Sequence, residues 1–147
     1  MNLEKVVDLR NARSDDYRKV LEEIAAKGKC PFCPENFKWH KEPVLLRYKG
    51  WFITNAAWPY ENAKRHFLII SEKHKEGLGE LSDADLRVVL VLVNWAVEGF
   101  GIKGGGLALR FGDTTYTGAT VCHLHFHLIV PELGPDGKAL VVNFPTG

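Results

Sequence analysis

Apolar positions recur at two periods along this chain, and the switches between them mark its elements. Behind Ser14, Asp15 and Asp16, the residues Tyr17, Val20, Leu21, Ile24 and Ala25 repeat at helical spacing until Gly28 closes the run, which predicts a helix. A second helix is expected from Ser82, Asp83 and Asp85, with Leu86, Val89, Leu90, Val93 and Val97 as its apolar stripe up to Gly99. Shorter β-rich runs lie between and after them. Val44 to Tyr48 and Trp51 to Thr54 flank Lys49-Gly50, a two-residue turn signal, and predict a hairpin. Pro59 marks a loop, His66 to Ser71 reads as a third strand, and the glycines at 104 to 106 lead into a fourth over Leu107 to Phe111. The loop from Gly112 to Ala119 then returns the chain to a strand over 123–130, ended by Pro131, and a last extended piece is expected around Leu140 to Val142. Helices and strands do not alternate as βαβ units and the strand connections are short, so the fold class is α+β with an antiparallel sheet. With no repeat and no second core, one domain over 1–147 is expected.

The strand at 123–130 carries the chemistry. His123, His125 and His127 alternate with Leu124, Phe126 and Leu128, so in a strand the imidazoles share one face while the apolar side chains enter a core. At about 3.3 Å per residue the outer two stand roughly 13 Å apart, too far to share one metal ion. Neutral imidazoles attack phosphorus or carbon, pass protons and hold phosphate oxygens, and neighbouring rings divide such roles by fixing each tautomer. Just upstream, Thr117-Gly118-Ala119-Thr120 offers small residues whose N–H groups can approach an anion, and the Thr120 hydroxyl beside them. Arg110 is placed either to meet a phosphate or to pair with Asp113. Trp58, Pro59 and Tyr60 give a stiff aromatic loop that either sandwiches a base or covers a core edge.

Composition narrows the class. The 147 residues are 46% hydrophobic and 25% charged with a formal net charge of +1, the balance of an ordinary soluble domain; scattered basic residues argue against a nucleic-acid partner. Met1 to Arg10 lacks the apolar core of a signal peptide, and no window is long enough to span a bilayer, so a cytoplasmic protein with no membrane partner is expected. Three cysteines do not make a disulfide framework. Cys30-Pro31-Phe32-Cys33 supplies half of a tetrahedral zinc site, with His40, His66, His74 and His123 as candidates for the other half; a redox pair is the competing reading. Cys122 is expected to be a small buried apolar residue.

Two segments together resemble the histidine triad family. His123-Leu-His-Phe-His127-Leu-Ile is similar to its H-φ-H-φ-H-φ-φ signature, φ being apolar, and His66-Phe-Leu-Ile-Ile-Ser-Glu-Lys-His74 resembles its other common segment. The resemblance covers about 30–131, leaving 1–28 as an N-terminal helical extension and 132–147 as a tail. It implies a five-stranded antiparallel sheet with two main helices, commonly a homodimer, and a nucleotide hydrolase or nucleotidyl transferase acting on small-molecule substrates of the dinucleoside polyphosphate or adenosine phosphoramidate type. Under it His125 is the nucleophile, His127 contacts phosphate oxygens, and His123 orients the site or ligates metal. Gly118, Ala119 and Thr120 form the phosphate loop, and Asn55 or Asn62 meets the ribose. The resemblance to zinc-containing members implies a structural Zn2+ on Cys30, Cys33, His74 and His123, with His40 a competing ligand and no organic cofactor. The chain departs from the common pattern at Ala119, where many members have an amide side chain, at Arg110, where many have asparagine, and in a longer stretch between Asn55 and His66. An arginine suits a polyphosphate, with its forked, permanent charge. The rivals are a zinc-stabilised nucleotide-binding or interaction protein without turnover, and a metalloenzyme with His123 and His125 as ligands.

Overall fold

The computed structural model describes residues 6–147, so the first five positions of the Met1–Arg10 stretch read above lie outside the described residues. Three α-helices, α1 (Asp15–Lys27), α2 (Asp83–Gly99) and the short α3 (Thr114–Thr117), accompany five strands: β1 (Val44–Tyr48), β2 (Trp51–Asn55), β3 (Ala63–Ser71), β4 (Gly106–Leu109) and β5 (His125–Pro131). The strands form one antiparallel sheet in the order β1-β2-β3-β5-β4. This is the expected α+β architecture with two main helices. Lys49 and Gly50 both take positive φ at the β1–β2 turn, the left-handed pair that matches the twist of a tight hairpin.

Period-two alternation distributes the sheet between two cores. Trp51, Ile53, Phe67, Ile69, Phe126 and Leu128 face α2 and pack on its Val88, Val89, Leu92 and Ala96. Ser82 starts that helix with a reciprocal capping box: its hydroxyl accepts the Asp85 N–H and its own N–H donates to the Asp85 carboxylate. Asp85 also accepts the Trp51 indole N–H at 3.0 Å, which ties the helix start to β2. The helix is as expected, and Val89 and Val93 of its expected stripe meet the core, but Leu86 and Leu90 point outward with Val91. This helix is apolar on more than one side, and contact with the sheet, not the stripe alone, selects the buried side.

The opposite face of the sheet carries Phe52, Thr54, Leu68 and Ile70, and with them the histidines of β3 and β5. The segment around Phe32 and Phe37 covers part of it. α1 buries Leu21 and Ile24 against Val7 and Val121, so the N-terminal helix roofs this face next to β5. Ser14 caps the start of α1, and Gly28 ends it in the left-handed conformation that glycine adopts without strain.

Three expectations change. β3 begins at Ala63, taking in the end of the presumed loop. The return loop contains α3, capped by Asp113. No strand forms at 140–142; residues 133 and 139 form an isolated bridge, and the tail beyond runs back along the sheet, with Asn62 Nδ2 donating to the Val141 carbonyl at 3.0 Å. Among the described residues no helix is long and apolar enough to cross a membrane.

Candidate functional site

β5 begins only at His125, so His123 sits in the bend that precedes it and the three histidines do not form one uninterrupted row. The bend separates them. His123 turns toward the cysteines, while His125 and His127 stay on the sheet with ring centroids 4.8 Å apart.

Hydrogen bonds assign each ring a tautomer. His125 Nδ1 lies 2.7 Å from the carbonyl of His123, which only accepts, so Nδ1 carries the proton and Nε2 keeps a free lone pair. His66 accepts the Tyr60 backbone N–H at Nδ1, so its Nε2–H donates to Nδ1 of His127 at 2.9 Å. The far nitrogen of His127, Nε2, must then be a donor, and it is buried without a partner. Among the described residues, Nε of Arg110 is likewise buried without a partner. A bare nucleophilic nitrogen thus stands beside two unanswered donors, the electrostatic pattern of a site for an anion.

Burial sets the charge of these rings. It pulls His125 down to about 3, outweighing the His123 carbonyl, and His66 to about 4 with added repulsion from Arg13 and Arg110. His127 is driven well below its ordinary range, first by burial and then by the neighbouring histidines. At neutral pH the nitrogen of His125 is therefore unprotonated and able to attack.

Around them lies a cavity of about 80 Å³, walled by Tyr17, Val20, Leu21 and Ile24 of α1, by Phe32, His40, Trp58 and Tyr60, and by Thr120, Arg110, His66, His125 and His127. It adjoins a cleft of about 600 Å³ between Arg13, Trp58, Asn62 and Asn143. Thr120 meets the Tyr17 hydroxyl at 2.7 Å. The stretch 118–120, expected from the resemblance to be a phosphate loop, is less available than its glycine suggests. The Gly118 N–H donates to the Thr114 carbonyl and the Ala119 N–H to the Thr117 hydroxyl, so these two amides are already occupied. Asn62 faces the cleft and holds the tail, whereas Asn55, at the end of β2, does not line the cavity. Arg110 makes no pair with Asp113; its bonds go to the carbonyls of Pro145 and Gly118 and to the Tyr60 hydroxyl. His66, weighed from sequence as a metal ligand, belongs to this site instead. Tyr17 and Arg13 line it, and Phe144 packs against His127, without having been singled out as site residues, because nothing in a helical apolar stripe or a polar tail announces a partner a hundred residues away.

Cys30, Cys33, His74 and His123 form a second cluster, with donor atoms all within 4.8 Å of one another. Nδ1 of His123 lies 3.3 and 3.7 Å from the two sulfurs, and Nδ1 of His74 lies 3.6 Å from Cys33. Bond lengths to tetrahedral zinc place sulfur and nitrogen ligands about 3.6 Å apart. Both rings are oriented from behind: His123 Nε2–H donates to the Ser71 carbonyl at 2.6 Å, and His74 Nε2 faces Glu76 at 3.4 Å. Burial and the nearness of Cys30 push the Cys33 thiol up to about 12, so a cation is required to hold this pair as thiolates. The donor set fits zinc. His40 lies apart, 2.9 Å from the Thr54 hydroxyl and stacked on Phe37, and His125 is outside the cluster.

No match was found among curated proteins. Among solved structures the chain is similar to a histidine triad nucleotide-binding protein from Candida albicans, at 22% identity over 81% of this chain and 85% of that one, with a TM-score of 0.60. It is also similar to a HIT family hydrolase from Clostridium thermocellum, at 26% identity over 73% and 95% of the two chains, with a TM-score of 0.54. A third is a Zn-bound histidine triad family protein from Mycobacterium smegmatis, at 19% identity over 81% and 83%, with a TM-score of 0.56. Residues 60–133, just over half of the chain and including His66, Arg110, Gly118 to Thr120 and all three signature histidines, match the HIT domain, so the chain belongs to the histidine triad family.

Proposed function

We propose that the protein is a nucleotide hydrolase or nucleotidyl transferase in which His125 is the nucleophile. The observation that carries this reading is the bond from His125 Nδ1–H to the His123 carbonyl, which leaves Nε2 bare and neutral in a cavity that also holds two unanswered N–H donors. Nε2 attacks the α-phosphorus, an N–P bond forms, and the bond to the leaving group breaks with its electron pair departing on that group. Water then attacks the nucleotidyl-histidine, loses a proton, and returns the N–P electron pair to Nε2. His127 Nε2–H and the Thr120 hydroxyl bind the non-bridging oxygens, and His66 holds His127 in its donor tautomer. Similarity to a nucleotide-binding protein and to a hydrolase of this family supports the substrate class.

Cys30, Cys33, His74 and His123 hold a structural zinc ion in this reading, as their spacing and the Zn-bound relative support. Bound there, zinc cross-links the segment after α1 to the bend before β5, and its binding free energy becomes folding free energy. A homodimer is the expected assembly, because β4 leaves one edge unpaired and α2 turns Leu86, Leu90 and Val91 outward.

Mass spectrometry of the protein mixed with diadenosine triphosphate or adenosine phosphoramidate tests the mechanism. An adduct of one adenylyl group on His125, absent from a folded His125→Ala variant, is the expected result. Nucleotide binding with no adduct and no turnover would return the protein to a binding role.

A further inference from the structure

Arg110 follows β4, whose Leu109 pairs with Phe126, so the next residue turns to the face that carries His125. The residue is only 9% exposed, yet the partners of its guanidinium are neutral: two carbonyls and a phenol, with the Phe144 ring 4.9 Å from its central carbon. Among the described residues no carboxylate pairs with it, and Nε is left without any partner. Burying a permanent cation without a counter-charge is costly, and a site that does so is built to receive an anion. Tyr60 links it to a second guanidinium: its hydroxyl accepts from Arg110 at 3.2 Å, and Arg13 lies 4.8 Å over its ring. Tyr60 and Arg13 also stand where the small cavity meets the 600 Å³ cleft. Phe144 now fills the space between Arg110 and His127, 5.0 Å from the latter ring.

Resting on the nucleotidyl-transfer reading above, we propose that Arg110, with Arg13 beyond it, is an anion subsite for the phosphates on the leaving side of the attacked phosphorus, and that the substrate is therefore a nucleoside or dinucleoside polyphosphate. The leaving-group chemistry separates the two substrate types. When the α-phosphorus is attacked, a polyphosphate departs with the electron pair on its bridging oxygen and needs positive charge beside it. A phosphoramidate departs as an amine and needs a proton, which an arginine does not give up. A permanent cation at this position favours the first. The Phe144 ring and the Pro145 carbonyl withdraw to admit the second phosphate, and the cleft receives the rest of the molecule.

Calorimetric titration of the zinc-loaded protein with inorganic tripolyphosphate, and the ratio of kcat/KM for diadenosine triphosphate to that for adenosine phosphoramidate, test this in wild type, Arg110→Met and Arg110→Lys. A fall of tenfold or more in tripolyphosphate affinity and in that ratio is expected for Arg110→Met, with a smaller fall for Arg110→Lys, which keeps the charge and the fold but loses the fork. Equal losses on both substrates with tripolyphosphate affinity unmoved would make Arg110 a clamp for the tail and overturn the subsite. If wild type forms no adduct on His125 while tripolyphosphate binding still depends on Arg110, the subsite stands and the nucleotidyl-transfer mechanism fails.

Discussion

A single proton position separates the proposed nucleophile of this site from the proton donor beside it. His125 and His127 are chemically identical side chains two residues apart, yet the first donates at Nδ1 to a carbonyl and the second accepts there from His66. Replacing His66 by glutamine removes the ring that fixes His127 as a donor toward substrate. Activity is expected to fall about 10- to 100-fold with the His125 adduct still formed, measured by steady-state turnover and mass spectrometry on the same preparation. The same substitution has a pH signature. His66 is held down to about 4 against an ordinary 6.5, so the folded chain takes up its proton later than the unfolded chain does. The stability of neutral His66 is whole above pH 6.5 and is lost as pH falls from 6.5 toward 4. The wild-type melting temperature should drop more steeply across that window than that of His66→Gln; equal slopes would show that His66 is not the group responsible. His66 also shows what sequence conveyed at this scale. Its presence was visible, but its task depends on β3–β5 pairing, which sets it diagonally from His127, and that distance is not written in local spacing.

At the scale of elements, local rules carried far. A turn of Lys49-Gly50, a capping box at Ser82 and a glycine stop at Gly28 each act within a few residues, and each element formed where those signals stood. The Cys30–Cys33 segment needs more, because its two remaining donors come from the loop just after β3 and the bend before β5. Phe32, between the cysteines, packs edge-on at 5.0 Å against His125, so the same segment that gathers the metal donors also walls the reactive ring. Cys30→Ser is expected to reduce bound zinc from one equivalent to near none, by elemental analysis, and to lower the melting temperature by several degrees, since structural zinc contributes directly to folding. Retained zinc would place the ion elsewhere. Rotation of α2 about its own axis was not legible: Leu86 and Leu90 fit an apolar stripe as well as Val88 and Leu92 do, and only the sheet decides between them.

For the whole molecule, that rotation leaves an apolar surface where the proposed homodimer would form. Leu90 is 54% exposed on α2, and β4 is an edge strand with backbone donors and acceptors unpaired on its outer side. Leu90→Lys should leave the monomer fold unchanged, because the side chain is already largely in water, while shifting sedimentation from dimer to monomer. A wild-type protein that sediments as a monomer would assign that face no partner of its own kind. The roof of the cavity is a different case, since it comes from both sides of the sequence at once: Tyr17 reaches Thr120 across 103 residues, Asp8 N–H bonds the Thr120 carbonyl, and Phe144 leans on His127. The β1–β2 hairpin closes over a two-residue turn, so contacts of that kind form first, and those bridging a hundred residues wait until the rest of the chain has condensed. The pocket is therefore among the last things this chain acquires on its way to the native state. On the proposed mechanism, reactivity at His125 requires those final contacts, and a chain stalled with a finished sheet is expected to be inert.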